Sequence, residues 1–146
     1  MIDRDRTLAK LDELDGYLGE LRSVVPATFP EYRTVEKRRS CERLLQVSIE
    51  AVVDVCSLLV VGLRLGLPGE ENDLFEKLAD RGVISRAMAD LLRRMKGMRN
   101  ILVPEYGRVA DELIFETVSH RRGDFDAFRH EILTFLGSPP EGPSAP

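Results

Sequence analysis

The chain has 146 residues and 43% apolar residues, which suits one domain with a core of its own. No Trp, six Phe and three Tyr, set against abundant Leu and Val, favour leucine-packed helices over an aromatic-rich sheet. A formal net charge of −4 excludes a nucleic-acid site read from overall charge, so any such site must be a local basic patch.

The first segment is expected to be helical from about Asp3 to Val25, because Leu11, Leu14, Leu18, Leu21 and Val25 recur three and four apart. Pro26 and Pro30 bracket a break. The second segment runs from about Glu31 to Leu63. It is charged from Arg33 to Arg43 and apolar almost all round from Leu44 on. Its polar exceptions Arg43, Gln46, Glu50, Asp54 and Ser57 recur three or four apart and make one narrow stripe. A helix with so little polar surface is central in its bundle or covered by a second subunit.

Gly62, Gly66, Pro68 and Gly69 mark a loop, and a short helix follows over about Asn72 to Asp80 with Leu74, Phe75 and Leu78 inward. Gly82 suits its C-cap and Ser85 the N-cap of the next helix. That helix, about Ser85 to Leu102, carries Met88, Leu91, Leu92, Met95, Met98 and Leu102 on its apolar face. The fifth segment, about Asp111 to Leu136, keeps helical spacing and is broken locally at Arg121-Arg122-Gly123. Residues 137–146 are Pro/Gly/Ser-rich and are expected to be a disordered tail to a domain over 1–136. The expected fold is all-α: an up-and-down bundle of four long helices plus one short one.

Cys41 and Cys56, on one helix, stand about 22 Å apart at 1.5 Å per residue and cannot bridge within the chain. Two small buried thiols fit a reducing compartment. The start, Met1 to Arg6, is charged and lacks an apolar leader core. The longest apolar stretch, Ala51 to Leu63, is interrupted by Asp54 and is too short to span a bilayer. A cytoplasmic protein without a membrane partner is expected.

Chemistry concentrates in Gly97-Met98-Arg99-Asn100-Ile101-Leu102-Val103-Pro104-Glu105-Tyr106-Gly107. Arg99 and Asn100 fall near a helix end; cations are common there simply because they complement the macrodipole. Pro104 disfavours helical geometry at Val103 and has no backbone donor, so the helix should end at or before Val103, or kink there. Arg93, Arg94 and Lys96 join Arg99 as a basic set, with Arg93 and Lys96, and Lys96 and Arg99, spaced to share a face. The set reads as an RNA track or as a solvated helix face. Glu50 and Asp54, one turn apart on an apolar helix, read as carboxylates orienting Arg99 or a neighbouring cation, or as a solvated stripe with ordinary salt bridges. No Glu-x-x-His, no zinc spacing of Cys and His and no glycine-rich phosphate loop appears, so no metal and no cofactor is expected.

The Arg99-Asn100-x-Leu-Val-x-x-Tyr106 stretch resembles the end of the active-site helix in HEPN-domain proteins, closest to the HepT group of toxins. The signature is Arg, four residues, His, one residue, Tyr; Arg99 and Tyr106 match, and Pro104 stands where the His belongs. The likeness extends to Leu45–Asp54 and to Leu78–Ile84 with Leu91–Arg99, about residues 3 to 136 in all. The resemblance implies a dimeric, metal-independent ribonuclease whose motif residues meet in a cleft between subunits. It implies a minimal nucleotidyltransferase antitoxin of the MntA kind, which transfers AMP from ATP to the motif tyrosine, here Tyr106. Arg99 would be the phosphate ligand, a fixed and forked cation. The His would move protons near neutrality; Pro104 has no titratable group, and neither His120, His130 nor Glu105 is expected to replace it.

This chain is therefore expected to be impaired as a nuclease. The substitution reads as an inactivating change selected on cloning a toxic gene, or as a naturally non-cutting relative. The second case implies a different class of protein: a non-catalytic HEPN module that docks a nucleotidyltransferase or holds RNA or nucleotide.

Overall fold

A computed structural model describes residues 1–102 and 107–137, with backbone only over 107–110. Its helices are α1 (Arg4–Val24), α2 (Phe29–Tyr32), α3 (Val35–Gly62), α4 (Glu71–Arg81), α5 (Arg86–Ile101), α6 (Gly107–His120) and α7 (Gly123–Phe135). The all-helical expectation holds among the described residues, while the count of four long helices and one short one does not. The fifth segment is two helices: α6 stops at His120 and α7 starts at Gly123. The added one-turn helix α2 starts after Pro26 and contains Pro30. Thr28 accepts from the Glu31 N–H at its start, and Pro30 in its first turn costs no hydrogen bond. The tail expectation falls on 138–146, outside the described residues.

Helix α1 lies along α3, its Leu11, Leu14, Leu18 and Leu21 fully buried as their spacing required. Helix α3 is central, touching α1, α2, α4, α5 and α6. By length and composition alone it could cross a membrane, but over half of that apolar window is buried inside the fold. Its polar stripe is the seam left over: Arg43 and Asp54 are exposed, and Gln46, Glu50 and Ser57 half-buried. Both cysteines are free and buried on α3.

Helices α4 and α5 form a tight hairpin. Gly82 closes α4 with φ at +84°, a left-handed conformation that favours glycine. Ser85 then caps α5, its hydroxyl accepting from the Met88 N–H at 3.0 Å. Leu74, Phe75 and Leu78 bury the inner face of α4. This hairpin sets the position of the last turn of α5.

Candidate functional site

Helix α5 ends at Ile101 with Leu102 as its cap, before Val103, as expected from a proline at 104. Arg99 sits in the last turn, where a cation meets the negative end of the helix. Its Nη2 donates to a carboxylate oxygen of Glu71, the first residue of α4, where an anion meets a positive helix end. Each partner thus complements its own helix terminus as well as the other charge. About a third of each side chain remains exposed. Asn100 next to it is exposed. Pro104 and Tyr106 lie outside the described residues.

The Glu71–Arg99 pair is the far rung of a ladder of ions. Nearest the Gly82 turn, Arg86 reaches Asp80 at 2.7 Å and Glu76 at 2.8 Å. Arg93 follows, bonded to Glu76 and to Asp90 on its own helix. Arg99 with Glu71 closes the series. Each step outward along α5 is matched by a step outward along α4, as an antiparallel hairpin requires. Arg93 is therefore held by carboxylates. Arg94, exposed, and Lys96, half-buried, have no ion-pair partner among the described residues.

Glu50 and Asp54 find other partners. Gln46 donates to Glu50 at 3.2 Å along α3, and Lys10 of α1 stands 3.5 Å from Asp54. The carboxylate that meets Arg99 is instead Glu71, which sequence reasoning missed. With α4 expected to start at Asn72, Glu71 fell in the preceding loop. The signal present was its place at a helix start, across a short turn from a run of cations.

Two further features lie elsewhere in the bundle. A cleft of about 180 Å³ lies between α3, α5, α6 and α7, with Leu45, Ile49, Met95 and Phe125 among its apolar lining and Arg94 and Arg121 among its cations. On another side of α6, Asp111 is buried and stands 4.0 Å from Arg38 of α3. Tyr32 is fully buried nearby, stacked on Phe29 and tilted against Phe115, and its hydroxyl has no hydrogen-bond partner among the described residues. Burial, with Glu42 and Asp111 adding to it, pushes that hydroxyl far above the ordinary tyrosine range. Among the described residues, no three His, Cys, Asp or Glu converge as metal ligands.

The ribonuclease HepT-like family matches residues 14–132. The chain is 32% identical over 84 residues to the mRNA nuclease HepT of Shewanella oneidensis, covering 58% of this chain and 63% of that one. It is 23% identical over 128 residues to the tRNA nuclease HepT of Aphanizomenon flos-aquae, covering 87% of each. Among solved structures, the fold matches a tri-AMPylated Shewanella oneidensis HEPN toxin in complex with MNT antitoxin. There the TM-score is 0.81 at 25% identity, covering 92% of this chain and 99% of that one. The family match spans most of the chain and the fold agrees with it: the chain belongs to the HepT-like ribonuclease family.

Proposed function

We propose that this chain is a HepT-type toxin, a HEPN ribonuclease that cleaves RNA without metal and is silenced by AMP placed on Tyr106 by a nucleotidyltransferase antitoxin. The observation that carries this reading is the family match over 14–132, with Arg99 held at the end of α5 where the motif begins. In the reaction, the 2′-oxygen attacks the neighbouring phosphorus and the bond to the 5′-oxygen breaks. One proton leaves the 2′-hydroxyl and one reaches the 5′-oxygen. Arg99 stabilises the added charge on phosphorus through its forked donors. Asn100 adds an exposed amide at the same end. Arg94 and Lys96, without ion-pair partners among the described residues, supply the local basic patch.

Proton transfer by a positioned group contributes about 10²–10⁴-fold, and Pro104 supplies none. The chain as it stands therefore cleaves feebly or not at all. It works as a homodimer in the cytoplasm, with the motifs of two subunits sharing a cleft. A second reading is favoured by Pro104 itself: a non-cutting HEPN module that still engages a nucleotidyltransferase or RNA.

In silencing, the Tyr106 hydroxyl attacks the α-phosphorus of ATP. The oxygen–phosphorus bond forms, pyrophosphate leaves and the hydroxyl proton passes to a base. The added phosphate lies near Arg99 in sequence and would compete with RNA phosphate for it. Incubating the chain with its nucleotidyltransferase, ATP and Mg²⁺ and mapping adducts by mass spectrometry tests this. AMP on Tyr106 is expected; labelling elsewhere with Tyr106 clean refutes the assignment.

A further inference from the structure

We infer that Glu71 is the positioning residue for Arg99: its carboxylate holds the guanidinium by one terminal nitrogen and so sets the donors that meet phosphate. The inference rests on the ribonuclease reading above.

The geometry supports a dedicated role. Glu71 is not used to cap α4. The Asp73 carboxylate does that, accepting from the Gly69 N–H at 2.8 Å and the Glu70 N–H at 3.1 Å. The Glu71 carboxylate is thus left for Arg99. Its backbone is anchored on both sides, by those capping bonds before it and by the buried Leu74, Phe75 and Leu78 after it. The bond engages Nη2 alone; Nη1 and Nε have no partner among the described residues. Arginine carries five N–H donors in a rigid fork, so fixing one nitrogen orients the rest without consuming them. An arginine held in this way loses less freedom when it meets a transition state than one left to rotate in solvent.

Coulomb attraction alone gives the opposite forecast for a substitution. Removing a carboxylate beside a phosphate ligand should tighten RNA binding. Positioning instead predicts that turnover falls even where binding holds or improves, because the lost interaction belongs to the transition state.

Two measurements separate these outcomes. In the unaltered chain, ¹⁵N relaxation of the Arg99 Nε–H should report an ordered side chain. In Glu71→Gln its order parameter should drop below about 0.6, the flexible range, with the fold unchanged. Equal order in both chains overturns the inference. In the Pro104→His background, Glu71→Gln should lower kcat roughly tenfold or more with KM unchanged or lower, and Glu71→Ala should do the same. An unchanged kcat with a lower KM makes Glu71 a competing counter-ion only and overturns the inference. A folded Pro104→His chain that cleaves no RNA overturns the ribonuclease reading and the inference with it. That failure is distinct from the one in which the repaired chain cleaves and Glu71→Gln leaves kcat unchanged.

Discussion

Tyr32→Phe should stabilise this protein. The ring is fully buried, 6.1 Å from Phe29 and 5.4 Å from Phe115 between centroids, and all of that packing survives in phenylalanine. The hydroxyl has no hydrogen-bond partner among the described residues. A buried polar group left unsatisfied costs about 1–3 kcal/mol, and deleting it sacrifices only a few dispersion contacts. A net gain near 1 kcal/mol is expected, which raises Tm by roughly 2–4 °C in a chain of this length. Urea unfolding followed by circular dichroism at fixed protein concentration measures it, since association would otherwise shift both midpoints. The pH dependence has a definite sign. The folded state keeps the Tyr32 proton above the ordinary value of 10.0, where the unfolded chain begins to release it. The unaltered chain therefore keeps its full stability with respect to this group below about pH 10 and loses it as pH rises beyond that value. Burial pushes the Cys41 thiol from 9.0 to about 11, so its share is lost earlier, between those values. Tyr32→Phe should keep the Cys41 decline and lack the later one. A loss of 1 kcal/mol or more on substitution would mean that the hydroxyl is bonded in solution, and the reasoning would fail.

Two further perturbations test the frame around the site. Gly82→Ala places a side chain at φ +84° with nothing within 4 Å of its Cβ, so the cost is backbone strain alone. A loss of about 1–2 kcal/mol is expected in denaturant unfolding; a neutral result would mean that the hairpin turn relaxes freely. Light scattering at micromolar concentration should give about twice the 16.5 kDa chain mass, and a monomer would remove the shared cleft.

Much of this architecture was legible from spacing. The Leu11, Leu14, Leu18 and Leu21 series predicts both the existence of α1 and its buried face. Gly82 and Ser85 mark the hairpin turn because each has a conformational or hydrogen-bonding role that few residues fill. Helix α2 was less legible, since a single turn built around Pro30 carries no periodic signal. The break at Arg121–Arg122 was visible, but whether it bends one helix or separates two depends on how the flanking faces pack.

The site was harder for the same physical reason. Spacing lets Arg93 and Lys96, and Lys96 and Arg99, share a face of α5, yet gives no view of what faces them. Carboxylates of α4 face Arg93 and Arg99, and that pairing follows from the register of the hairpin rather than from either helix alone. Glu50 and Asp54 have the right spacing to act together, but Asp54 points to Lys10 of α1 and Glu50 accepts from Gln46. Which carboxylate meets Arg99 is a property of α4 and α5 together.

Restoring histidine at position 104 tests the ribonuclease reading most directly. Pro104→His supplies a group that titrates near neutrality and a backbone donor, five residues after Arg99, the proposed phosphate ligand. Activity should rise about 10²–10⁴-fold over the unaltered chain, persist in EDTA and disappear in the Arg99→Ala double variant without loss of fold. Expression without a partner should slow growth in step with cleavage. A repaired chain that is folded and dimeric yet cuts no RNA from its own host would contradict the reading and leave a non-cutting HEPN binding module in its place.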